Sequence, residues 1–110
     1  MITRFALFEG AVRPGQSEAF RAAVLDRLVP LWTAFPGNSG VRVMFGEDRD
    51  EGAPEFPLIL AISYPDVATM EQALEAPVRQ RSKDVTAEVV AAHFDGRIHH
   101  HVTALHAFDP

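Results

Sequence analysis

The chain has 110 residues, 47% of them apolar, and a formal net charge of −5 at pH 7, so one domain over 1–110 with a real core is expected. It has no cysteine, which excludes disulfides and thiolate chemistry and suits a reducing cytoplasm. The acidic balance argues against a nucleic-acid surface, no segment approaches the ~20 apolar residues of a membrane helix, and "MITRFALFEG" lacks the apolar core and cleavage site of a signal peptide.

"ITRFALFEGAV" alternates loosely in β-formers and predicts a strand from about Thr3 to Val12. A Pro-Gly turn follows, with Ser17 as N-cap of a helix whose inner face is Phe20, Val24, Leu28, Leu31 and Phe35. Pro30 falls inside that pattern and predicts a kink or break, since it lacks a backbone donor and crowds the preceding turn. "VRVMFGE" is a second strand, with Val41, Val43 and Phe45 on one side and Arg42 and Met44 on the other. "EDRDEGAPE", Glu47 to Glu55, concentrates the excess negative charge and reads as a solvated connection.

"PLILAISYP" is apolar on both sides, as in a strand covered on both faces. Asp66 caps a helix carrying Val67, Met70 and Leu74 on one face, and Pro77 interrupts it. A further helix has Val78, Val85, Val89 and Ala92 or His93 as its inner stripe; Asp95-Gly96 reads as a turn, and "RIHHHVTALHAF" as a last strand.

The order β-α-β-β-α-β is that of a ferredoxin-like α+β domain, with a four-stranded antiparallel sheet in the order 4-1-3-2 and its helices on one face. Two helices can cover one face only, yet the strands are apolar on both sides. A bare apolar sheet face exceeds what monomers usually expose. A second copy, sheet against sheet, is therefore expected, giving a homodimer through the free sheet face.

"AFPGNSGVRVMFGE" and "SYPDVATMEQALEAPVRQRSKDV" resemble passages of the dimeric α+β barrel superfamily, which includes cofactor-independent antibiotic-biosynthesis monooxygenases, EthD-like proteins and stress-responsive barrel proteins. The two passages span the central half of the chain, and neither is catalytic. The first helix, "SEAFRAAVLDRLVPLW", lacks the tyrosine-rich stretch and histidine often found there in EthD-like chains. The resemblance implies a dimeric barrel with a small pocket near the sheet.

Four of five histidines lie between Asp95 and Phe108. Strand alternation puts Ile98, His100, Val102, Ala104, His106 and Phe108 on one side, and His99, His101, Thr103, Leu105 and Ala107 on the other. Three readings stand open. The histidines are satisfied core or interface residues. Alternatively, His100 and His106 are acid–base groups in a pocket lined by Arg4, Trp32 and Tyr64, with Glu9 near; oxidising a phenol or quinol without a cofactor needs a base and an apolar cavity. Or His99 and His101, two apart on one face, point at a metal ion with His93 or a carboxylate as third ligand. The leading expectation is a small-molecule-binding dimer of the oxygenase or EthD-like kind acting on a compact aromatic or apolar substrate, with no cofactor; the competing one is a non-catalytic ligand-binding or stress-associated dimer with structural histidines.

Overall fold

Four strands and three helical segments follow the expected order through residues 1–110 of the computed structural model. They are β1 (Ile2–Val12), a first helical segment of α1 (Ser17–Ala23) and α2 (Val29–Trp32) joined by a π turn at Val24–Leu28, β2 (Gly40–Phe45), β3 (Leu58–Tyr64), α3 (Val67–Leu74), α4 (Pro77–His93) and β4 (Phe94–Ala104). The sheet runs β2-β3-β1-β4 with every pair antiparallel, which is the expected ferredoxin-like topology.

One face of the sheet is helix-covered. Ala6 and Phe8 of β1 and Leu58, Leu60, Ile62 and Tyr64 of β3 form one apolar cluster with Phe20, Val24, Leu28 and Trp32 of the first helix, Met70 and Ala73 of α3, and Val89 of α4. Val41, Val43 and Phe45 of β2 close it at one edge, as their alternation predicts. At one end three phenylalanines lock the layers together: Phe94 stacks on Phe20 at 6.1 Å between centroids and meets Phe8 edge-on at 6.0 Å.

Pro30 has its effect one turn early. The Val29 N–H bonds to the Val24 carbonyl, five residues back, and this wider turn spares the chain the clash that Pro30 would cause in a regular helix. The extra residue moves the inner face by one position. Trp32 is 3% exposed and sits in the core, whereas Leu31, the residue expected there, is only half-buried.

Other local expectations are corrected. Ser17 is not the cap; Gln16 holds that position without a side-chain cap bond, because its Oε1 accepts from His93 Nδ1 at 2.8 Å. Asp66 does cap α3, accepting from the Thr69 N–H at 2.8 Å and the Thr69 hydroxyl at 2.7 Å. The buried face of that helix is Met70 and Ala73; Val67, in the capped first turn just clear of β3, is exposed. In α4 the buried positions are Ser82 and Val89, and Ala92 is exposed.

Asp95-Gly96 is strand rather than turn: Gly96 pairs with Gly10, and Asp95 with Ala11. The two backbones approach so closely that a Cβ at either glycine would lie 2.1–2.2 Å from a carbonyl oxygen across the ladder. Gly10 also takes a φ of 148°, which side chains disfavour. A glycine meeting a glycine thus extends the ladder where the sequence alone suggests a stop, and Arg13 fastens its end by a 3.2 Å ion pair to Asp95.

The opposite sheet face has no helices. Phe5 and Leu7 of β1, Ile59 of β3 and Met44 of β2 stand outside the core cluster. Polar residues flank this apolar strip, with Thr3 and Ser63 hydroxyls bonded at 2.8 Å and His99 Nε2 donating to Glu9 Oε1 at 2.8 Å.

Candidate functional site: a cationic mouth on an apolar cavity

The cavity arises where the helix face of the sheet carries small side chains. Ala6 of β1 lies between Leu60 on one neighbouring strand and His100 on the other, and Ser82 and Ala87 of α4 face the same space. The result is a cavity of about 320 Å³ between the sheet, α2 and α4, within the range that holds small molecules. Its floor is Ala6, Phe8, Leu60, Ile62 and Ile98, and Trp32 and Phe35 wall one side.

Its polar groups gather on two elements. The sheet contributes His100 and Arg4, diagonal neighbours on one face two register positions apart. From α4 come Arg79, Ser82, Lys83 and Thr86, which recur at helical spacing and so form one stripe. None of the fifteen acidic residues lines the cavity.

Electrostatics follow from this set. Partial loss of hydration is the first cause, and the neighbouring Arg4, Arg79 and Lys83 add to it; together they lower the His100 pKa from 6.5 to about 4. His100 is still open to solvent on one side, so at neutral pH it presents a neutral imidazole at the cavity mouth, with a ring nitrogen able to accept a proton. Burial, then Arg79, lowers the pKa of Arg4 as well. Tyr64 is buried beside Arg4, and burial pushes its phenol up.

Of the residues singled out from sequence, His100, Arg4 and Trp32 meet at this cavity. Tyr64 lies outside the lining, and His106 lies beyond β4, exposed. His99 and His101 project from the opposite face, across from Leu7 and Phe5. There His99 is engaged by Glu9, whose carboxyl it holds below the usual range, while His93 is tied to Gln16. No group of three or more His, Asp or Glu side chains has the placement to hold a metal ion. Arg79, Ser82 and Lys83 were not foreseen; their spacing with Thr86 and Val90 was the available signal, but polar helix positions read by default as solvent-facing.

A second hollow, of about 430 Å³, is formed by the acidic loop itself, with Glu47, Asp48, Asp50, Glu51 and Glu55 around it. It has one apolar residue in its lining.

Neither a family model nor a curated relative matches the sequence. Solved structures do match the fold. An EthD family protein from Bacillus halodurans is similar with a TM-score of 0.77 at 19% identity, over 96% of this chain and 99% of that one. SnoaB, a cofactor-independent oxygenase from Streptomyces nogalater, solved as a mutant, matches with a TM-score of 0.65 at 15% identity over 99% and 96% of the two chains. A dimeric ferredoxin-like protein of unknown function from Jannaschia sp. gives 0.65 at 16% identity, over 94% and 98%. These likenesses establish the ferredoxin-like fold that the sequence led us to expect. No helix is long and apolar enough to cross a membrane.

Proposed function

We propose that this protein is a homodimeric small-molecule enzyme of the cofactor-independent oxygenase or EthD-like kind, in which His100 is the base acting on a compact aromatic or apolar substrate. The observation that carries this reading is the convergence of an apolar cavity of about 320 Å³ with a neutral imidazole at its mouth. Trp32 and the apolar floor hold the ring of the substrate, and Arg4 faces its hydroxyl. Tyr64 backs Arg4 as a positioning residue. The free sheet face, with Phe5, Leu7, Ile59 and Met44, is the dimer surface, and His99 and His101 belong to it.

In this mechanism His100 takes the hydroxyl proton of a phenol or quinol. The cations that weaken His100 as a base also stabilise the phenolate, so the transfer is driven from the substrate side. The electron-rich anion then reacts with dioxygen: a ring C–H becomes a C=O, the phenol oxygen becomes the second carbonyl, and the other oxygen atom leaves as water with the two hydrogens. General-base catalysis of this kind contributes ~10²–10⁴ in rate. Dioxygen uptake across a panel of compact phenols and quinols tests the reading, and His100→Ala is expected to lose ~10²–10⁴ of the turnover. A His100→Ala protein with full turnover would remove the assignment. The low proton affinity of His100 favours a second reading, a non-catalytic ligand-binding dimer; ligand binding without turnover of any panel member would select it.

A further inference from the structure

Five of the ten basic side chains, Arg13, Arg21, Arg27, Arg49 and Arg97, form ion pairs with carboxylates. Of the five that do not, Arg4, Arg79 and Lys83 line one cavity. In a chain of net charge −5 this is a concentration of unpaired positive charge against an apolar floor. Arg79 donates from one guanidinium nitrogen to the Leu74 carbonyl at 3.3 Å, which holds one edge of the fork and leaves its other N–H groups unclaimed. Arg4 sits on β1, one of the two inner strands, with a like charge as neighbour and no carboxylate partner.

Such a group disfavours the fold. Partial burial removes hydration from a guanidinium, and only an opposite charge or good hydrogen bonds offset that loss. Where a fold keeps an unfavourable local arrangement, a ligand is the natural compensating partner. Arginine's planar fork matches a carboxylate, taking it through two parallel hydrogen bonds, while lysine adds a point charge at the rim.

Resting on the reading of this cavity as a small-molecule site, we infer that its ligand is an organic anion: a compact aromatic body carrying a carboxylate, with the ring over Ala6, Leu60 and Trp32 and the carboxylate among Arg4, Arg79 and Lys83. For the proposed reaction, the substrate class is thereby a hydroxyaryl carboxylate rather than a neutral phenol. The carboxylate takes Arg79, Lys83 and one edge of the Arg4 fork, which fixes the ring and leaves the hydroxyl facing His100 and the other edge of Arg4.

The test is calorimetric titration of the full-length protein with 2-naphthoate and with its neutral isostere 2-naphthamide. Naphthoate is expected to bind at least about tenfold more tightly, as one charge-assisted hydrogen-bond pair provides. Lys83→Gln and Arg79→Gln, both on α4, are each expected to cut that preference about fivefold or more, by weakening naphthoate much more than naphthamide. Arg4→Gln, its folding checked by circular dichroism, removes most of the rest. Equal affinities, no binding of naphthoate, or a preference that survives the Lys83 and Arg79 substitutions overturns the inference. The two readings separate cleanly. A charge preference with no turnover of any hydroxyaryl carboxylate upholds the anion site and sinks the enzyme, whereas His100-dependent turnover of neutral phenols without a charge preference does the reverse.

Discussion

On the helix side of β4, His100 stands among Arg4, Arg79 and Lys83; one residue earlier, on the bare side, His99 donates to Glu9. The two imidazoles are adjacent in sequence and share strand geometry, yet one meets only positive charge and the other a carboxylate. The difference lies in what each face of the sheet is for. The helix face has two regions, an end filled by Phe8, Phe20 and Phe94 and an end left open over Ala6. Its opposite face pairs Glu9 with His99 and Thr3 with Ser63, and leaves an apolar strip between them. A surface with a bare apolar centre between paired polar groups suits pairing, while several unpaired cations around one hollow suit a ligand.

The largest way to test this contrast is at the filled end. Phe94 is 2% exposed and touches two other rings, so Phe94→Ala is expected to cost about 3–5 kcal/mol, measured by urea unfolding. A cost under about 1 kcal/mol would mean that this end is not the anchor of the helix face. On the other face, Leu7→Lys should leave the single-chain fold nearly as stable but place a charge in the middle of the proposed dimer surface. Sedimentation is expected to give twice 12.1 kDa for the natural chain and a single 12.1 kDa species for the variant at micromolar concentration. A natural chain that sediments singly would end the pairing argument.

The smallest effect separates the two histidines directly. His100 has a folded-state pKa of about 4 against 6.5 for the free group. The unfolded chain therefore binds a proton first as pH falls, and His100 contributes a loss of stability that begins near pH 6.5 and is complete near pH 4. Its partial exposure keeps that contribution modest. His100→Asn is expected to flatten the pH dependence of the melting temperature in that window. Glu9 acts in the same direction but lower on the pH scale: its carboxyl is held low by His99, so its contribution is intact at neutral pH and is lost only as pH falls below the ordinary carboxylate value of 4.5 towards its folded pKa. If Glu9→Gln, rather than His100→Asn, removes the slope between pH 6.5 and 4, the charge assignment of the two faces is reversed.

Much of this architecture was legible from residue pattern. The alternation of β3, the Asp66 cap and the Val41, Val43 and Phe45 stripe each describe interactions between near neighbours in the chain, and each appears where expected. So does the split of the histidine run into His100 on one face and His99 and His101 on the other, because strand geometry alone assigns sides. What escaped the sequence depended on a partner distant in the chain or on a backbone choice. Trp32 replaced Leu31 because one π turn slips the helix by a residue. Asp95-Gly96 became strand because Gly10 lies across from it.

The order of elements and the side to which each strand residue points were set by the sequence itself, since hydrophobic period and caps act over a few residues. Which charges surround His100 was decided only when α4 crossed the sheet. Arg79 and Lys83 lie some twenty residues before it and Arg4 nearly a hundred, and electrostatic environment is a property of distance in space, to which order along the chain is blind.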